Sequence, residues 1–93
     1  MLFVTLGKAK AASTAKQRIA RRAGWQYPSG VRVLGEYWLL TAEPATLILI
    51  SESEEAGSIL SAIAEWDDLF DLTVVPAMTA EQGLELAKQM ASA

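Results

Sequence analysis

The sequence contains no cysteine and no histidine. These absences exclude disulfide bonds, thiol nucleophiles, histidine acid/base relays and nearly all zinc, copper or haem ligation. Only carboxylates, hydroxyls, lysine and arginine remain for chemistry. Asp67, Asp68 and Asp71 lie close together but lack the spacing of a calcium-binding loop, and no glycine-rich phosphate loop or nucleophile elbow is present. We therefore expect no metal site and no cofactor.

The chain also lacks any apolar run near the roughly 18 residues of a membrane span, and it begins on a strand-like segment without a basic leader. We expect a cytoplasmic protein with no membrane partner. A chain of 93 residues predicts one domain, residues 1–93, with a modest core. The hydrophobic share of 52% exceeds the usual 45–50% or so, which indicates apolar surface that a second subunit would cover.

Charge is unevenly distributed. Seven of the eight basic residues lie in the first 35 positions, which hold no acid, and all eleven acids follow. Clustered bases can bind nucleic acid, and steeply salt-dependent retention on DNA or RNA would reveal such binding. The simpler interpretation is that the basic helix packs near acidic segments of its own fold or of its partner. Since the protein as a whole is acidic, we expect no nucleic-acid partner.

Hydrophobic periodicity predicts four strands and three helices. A hairpin from Val31 to Ser51 stands at the centre, with a second arm that is apolar on both faces and so needs cover on both. The first helix should begin after Ser13 or Thr14. For the second we expect a Ser51–Glu54 capping box or a Ser53 cap, and an end near Trp66. The remaining elements are a strand at 2–6, a strand at 69–75 ended by Pro76, and a terminal helix capped by Thr79 and Gln82.

The order β-α-β-β-α-β plus a C-terminal helix predicts an α+β, ferredoxin-like fold with a four-stranded antiparallel sheet. Strands one and three should be central, and both main helices should cover one face. From alternation we place on the helix side Leu2, Val4, Leu6, Val33, Tyr37, Leu39, Leu47, Leu49, Leu72 and Val74. The opposite, open face would carry Phe3, Thr5, Arg32, Leu34, Glu36, Trp38, Thr46, Ile48, Ile50, Asp71, Thr73 and Val75. A second copy covering that face would form a dimeric α/β barrel.

Candidate binding or dimer-interface residues are polar and aromatic positions of the predicted open face and of the loop after helix one. They are Arg32, Glu36, Trp38, Thr5, Thr46, Ile48, Asp71, Thr73, Trp25 and Tyr27. Four strand residues span about 13 Å, so Arg32 and Glu36 cannot pair along one strand. Glu36 enclosed in an apolar barrel would have a raised pKa and could act as a base; the alternative is a rim or interface ion pair. The aromatic residues either line a flat ligand or anchor the core or dimer.

The stretches at residues 25–30, 36–38 and 64–70, followed by Val74-Val75-Pro76, resemble a family of small prokaryotic proteins known only as a domain of unknown function. The resemblance spans nearly the whole chain. It implies a ferredoxin-like subunit that forms a dimeric α/β barrel, and it brings no activity, substrate or catalytic residues. Fold relatives include cofactor-free monooxygenases, which commonly use a histidine that this chain lacks.

The leading functional hypothesis is a homodimer, or a higher homo-oligomer, that binds a small apolar or aromatic molecule or acts as a structural partner. The alternative is a cofactor-independent oxygenase or isomerase that uses Glu36 and Arg32, with Tyr37 or Trp38, around a hydrophobic substrate. The two hypotheses differ in what the barrel encloses, since an enzyme would need a cavity near Glu36 and Trp38.

Overall fold

The computed structural model describes residues 1–92 and contains four strands and three helices. In chain order they are β1 (Leu2–Ala9), α1 (Ala15–Ala23), β2 (Arg32–Trp38), β3 (Leu47–Glu52), α2 (Ala56–Ala64), β4 (Phe70–Ala77) and α3 (Ala80–Ala91). The strands form one antiparallel sheet in the order β2-β3-β1-β4. This is the predicted ferredoxin-like α+β fold, with β1 and β3 central.

We expected Pro76 to end the last strand, but β4 continues to Ala77. Pro76 pairs with Phe3 of β1 inside the ladder. Proline is tolerated there because β4 is an edge strand, where one side of the backbone needs no donor. The edge position that Pro76 predicted is confirmed.

Two of the three helix starts follow the sequence signals. Thr14 caps α1 and Thr79 caps α3, each through a complete capping box with the glutamine three residues on. Both start signals expected for α2, the Ser51–Glu54 capping box and the Ser53 cap, are wrong. Ser51 belongs to β3, and Glu55 stands at the N-cap position without a side-chain bond. Pairing of Ser51 with both neighbouring strands outweighs the local helix signal.

The faces of β1 are reversed relative to the prediction. Directly paired residues of antiparallel strands share a face, and Thr5 pairs with both Leu49 and Val74 beneath the helices. Phe3 and Thr5 therefore face the helices. Leu2, Val4 and Leu6 lie on the open face. Alternation could not separate the two faces because both are rich in apolar residues.

The faces of β2 are correct at its start and wrong after Leu34. Arg32 pairs with Glu52 and Val33 with Ser51, but the next pair is Gly35 with Ile50, so Leu34 forms a β-bulge. A one-residue insertion exchanges the faces of every later side chain. Three residues are affected: Glu36 and Trp38 turn to the helix side, and Tyr37 to the open face.

The core is small and lies at one end of the helix side. Trp66, Leu69 and Phe70 form its buried cluster, with Trp25 and Leu47 among the side chains packed against it. Elsewhere α1 and α2 stand over the sheet with space between the layers. Among residues 1–92, no helix has the length and hydropathy needed to cross a membrane.

Candidate functional site

A cavity of about 280 Å³ lies between the two covering helices and the sheet. Its floor comes from the helix-facing side chains of all four strands, and its roof from one face each of α1 and α2. The lining is overwhelmingly apolar, with leucine, isoleucine, valine and aromatic side chains. One side is open to solvent. Apolar concave sites with a few placed polar groups are typical of small-molecule binding sites.

Glu36 is the main polar group of the cavity, and three neighbours satisfy it. Arg22 donates from Nε and Nη2 at 3.0 Å each, Tyr27 donates its hydroxyl at 2.7 Å, and the Trp38 indole donates at 2.8 Å. The Glu36 side chain is 15% exposed and that of Arg22 32%. The guanidinium also lies over the Tyr27 ring, 5.2 Å from its centroid. The site thus contains a charge-neutral ion pair held by aromatic residues.

Burial and hydrogen bonding have opposite effects on the ionisation of Glu36. Burial acts to raise the pKa of Glu36, but the hydrogen bonds from Arg22, Tyr27 and Trp38 together outweigh it, so the pKa lies below its ordinary value. Burial and the neighbouring carboxylate raise the pKa of the Tyr27 hydroxyl. The hydrogen bond to Glu36 raises the pKa of Arg22 despite its partial burial. Glu36 is therefore an anion and Tyr27 a neutral donor at ordinary pH.

Aromatic rings form one wall of the cavity. Trp25 packs edge-on against Tyr27, with ring centroids 4.7 Å apart, and against Trp66 at 5.5 Å. Trp66 continues to Phe70 at 5.8 Å. The Trp25 indole donates a hydrogen bond to the Glu65 carboxylate just after α2. With Trp38, all three tryptophans of the chain line the cavity.

The structure divides the ten candidate residues between two surfaces. Six line the cavity: Thr5, Trp25, Tyr27, Glu36, Trp38 and Thr46. The other four lie on the open face: Arg32, Ile48, Asp71 and Thr73, as their pairing partners show. Arg32 lies 3.9 Å from Glu52 on the adjacent strand, and Asp71 lies 3.8 Å from Lys10. As expected, Arg32 and Glu36 do not pair with each other.

A family model described as a domain of unknown function, DUF3303, matches residues 1–91. The chain belongs to this DUF3303 family. No curated protein and no solved structure matches it.

Sequence reasoning missed the most important partner of Glu36 in this DUF3303 domain. In the sequence, Arg22 is identified only as one of the basic residues clustered in the first 35 positions. It lies seven residues after Ala15 and three after Ile19, so helical spacing places it on the cavity face of α1. The expectation that the basic helix packs near acidic segments of its own fold holds for Arg21, which binds both oxygens of Asp68 at 2.6 and 2.8 Å.

The network limits what Glu36 can do chemically. Of the two alternatives for Glu36, the base with a raised pKa is wrong, because three donors occupy the carboxylate that a general base would need free. The carboxylate does form an ion pair, but with Arg22 of its own chain. Arg32, the other proposed catalytic group, faces away from the cavity. Within residues 1–92, no three acidic side chains gather into a group that could hold a metal ion. In the DUF3303 domain the arrangement therefore suits binding better than acid/base chemistry.

Proposed function

We propose that this domain binds a small, largely apolar aromatic molecule between its helices and its sheet. The observation that carries the proposal is the apolar cavity lined by three tryptophans, with one fully hydrogen-bonded carboxylate. Arg22 and Glu36 neutralise each other, and the guanidinium of Arg18, which also lines the cavity, donates to the Ser13 carbonyl and hydroxyl. A cationic ligand would therefore lose hydration without a free counter-ion, because Glu36 is already paired.

The volume indicates the size of the ligand. A dry apolar cavity of about 150 Å³ binds benzene, and the cavity here holds about 280 Å³. It therefore accommodates about two fused aromatic rings. Flat rings stack well against aromatic side chains, and Trp25 and Trp66 supply such a wall.

Naphthalene is a suitable first probe, and the tryptophans supply the readout. We expect titration to shift the indole N–H signals of Trp25, Trp38 and Trp66 in a ¹H–¹⁵N NMR spectrum. Ala62→Phe places a ring into the cavity from α2 and should abolish these shifts. Ala64→Phe makes the same change at an exposed position of the same helix and should preserve binding. Equal binding by both variants would show that the cavity is not the site.

We further propose that the domain forms a homodimer through its open sheet face and α3. A folded monomer of 10.0 kDa exposes about 5,200 Å² by the usual scaling, whereas this chain exposes 6440 Å². The surplus exceeds the roughly 800 Å² that each partner buries in a standard interface. The radius of gyration, 15.6 Å, also exceeds the roughly 12 Å of a compact chain of this length.

The composition of this surface supports a second copy as its occupant. The centre of the open face is apolar, with Val4, Leu6, Ile48 and Ile50 on the two central strands. Ion pairs lie at its rim, such as that of Arg32 with Glu52. An apolar centre within a polar rim is the usual anatomy of a protein interface. The apolar side chains of α3 are exposed as well, namely Leu84, Leu86 and Met90.

Light scattering during size exclusion tests the dimer. We expect a mass of two 10.0 kDa chains, and one chain for Leu6→Lys, whose side chain is 40% exposed and so can change without unfolding the subunit. Ala20→Lys, on the exposed surface of α1, is the matched control and should remain dimeric. A wild-type protein that stays monomeric at high concentration would refute this proposal and leave the cavity proposal standing.

A further inference from the structure

Ser51 lines the cavity, and its buried hydroxyl has no hydrogen-bond partner. It is 1% exposed, and its Oγ is the one buried side-chain polar atom without a hydrogen-bond partner among residues 1–92. A buried hydroxyl without a partner destabilises a protein, so natural structures rarely contain one without a reason. Serine fills little space that alanine would not fill. Packing alone therefore does not explain the hydroxyl.

The sheet register gives the direction in which Ser51 points. It pairs with Phe3 on β1 and Val33 on β2, both on the helix side, so its side chain faces the layer that holds the cavity. Thr5 lies diagonally across on β1, pairing with Leu49 two positions away along β3. The central floor of the cavity thus carries two hydroxyl groups among apolar neighbours. Glu36, by contrast, already has its donors.

We propose that the ligand is a two-ring aromatic compound with one hydroxyl or carbonyl oxygen, and that this oxygen hydrogen-bonds to the Ser51 hydroxyl. The inference rests on the ligand-binding function proposed above and names the chemical class that the site selects. The rings occupy the apolar space beside Trp25 and Trp66. Ser51 then gains the hydrogen-bond partner that it lacks, and its hydroxyl selects ligands by where the oxygen lies on the ring system.

The test compares two probes of nearly equal shape, 2-naphthol and 2-methylnaphthalene, by NMR titration of the tryptophan indole signals. We expect the wild-type chain to bind 2-naphthol roughly three- to tenfold more tightly, the range of one buried hydrogen bond. Ser51→Ala should remove this preference and leave the affinity for 2-methylnaphthalene unchanged or higher. Ser51→Cys keeps the side-chain size with only a weak hydrogen-bonding group, and it should also lose the preference.

Ser61→Ala is the matched control, because it removes a serine hydroxyl from an exposed position of α2 and should keep the preference for 2-naphthol. A preference that survives in both Ser51 variants would overturn the proposal and would point to another group, such as the Thr5 hydroxyl, as the partner of the ligand oxygen. Equal binding of both probes by the wild-type chain would overturn it as well while upholding the cavity as an apolar site. Binding of neither probe would refute the ligand-binding function itself, and this inference with it.

Discussion

Replacing Glu36 with glutamine tests the polar network that shapes the cavity. The variant keeps the size of the side chain but removes the charge that accepts from Arg22, Tyr27 and Trp38. A hydrogen bond to a charged group contributes about 1.5–3 kcal/mol. Because the Arg22 side chain is 32% exposed, solvent screens part of this interaction, and we expect a loss of about 2 kcal/mol at neutral pH. For a domain of this size, that lowers the Tm by roughly 8–16 °C.

The dependence on pH separates this network from simple packing. The pKa of Glu36 is lower in the folded chain than its ordinary value, so its stabilising contribution is fully present above the unfolded pKa of about 4.3. The contribution is lost as the pH falls through the folded pKa, because the protonated group no longer attracts Arg22. The difference in unfolding free energy between wild type and Glu36→Gln should therefore shrink as the pH falls from about 5 through the folded pKa of Glu36.

Urea unfolding at a series of pH values measures this difference directly. Asp67→Asn is the matched control, since it removes one negative charge from an exposed position just after α2. The control should differ little from wild type at any pH. If the cost of Glu36→Gln were the same at pH 2.5 and pH 7, the charge of Glu36 would contribute nothing and the interpretation of the network would be wrong.

Three further changes test local features of the fold by thermal unfolding. Gly30→Ala should cost about 1–2 kcal/mol, because φ is +94° there and the added Cβ would lie 2.8 Å from the Ser58 hydroxyl; an unchanged Tm would contradict this. Thr14→Ala removes the capping bond to the Gln17 amide at 3.1 Å and should cost about 1 kcal/mol, whereas retained stability would show that α1 needs no cap. Arg21→Ala breaks the exposed pair with Asp68, so its small effect should disappear at 1 M salt, and persistence would indicate lost packing instead.

The order of elements and the strand order could be predicted because each rests on local signals that agree. Thr14 and Thr79 begin helices, Pro76 marks an edge strand, and the apolar β3 lies in the centre of the sheet. Where a local signal competes with pairing across the sheet, prediction fails. Ser51 has the spacing of a helix cap, yet it is a paired residue of the central strand.

The candidate site was harder to predict, because its composition depends on which face each strand turns to the helices. One inserted residue, Leu34, moves Glu36 and Trp38 from the open face to the cavity. The hydrophobic pattern of β2 does not predict this bulge. Arg22 could have been recognised by its helical spacing from Ala15. The pairing of Arg22 with Glu36 could not have been recognised, because the predicted alternation places Glu36 on the opposite face of the sheet.

The reversal of β1 bears on the open face as well. Hydrophobic alternation assigned Leu2, Val4 and Leu6 to the interior, and the structure turns them away from the helices. A strand that faced water on that side would favour polar residues at these three positions. Their apolar character is explained if the open face is itself an interior in the assembled protein. The bulge in β2 then has a structural role, because it brings the Glu36 carboxylate to Arg22 on one side of the sheet while Tyr37 joins the apolar surface on the other.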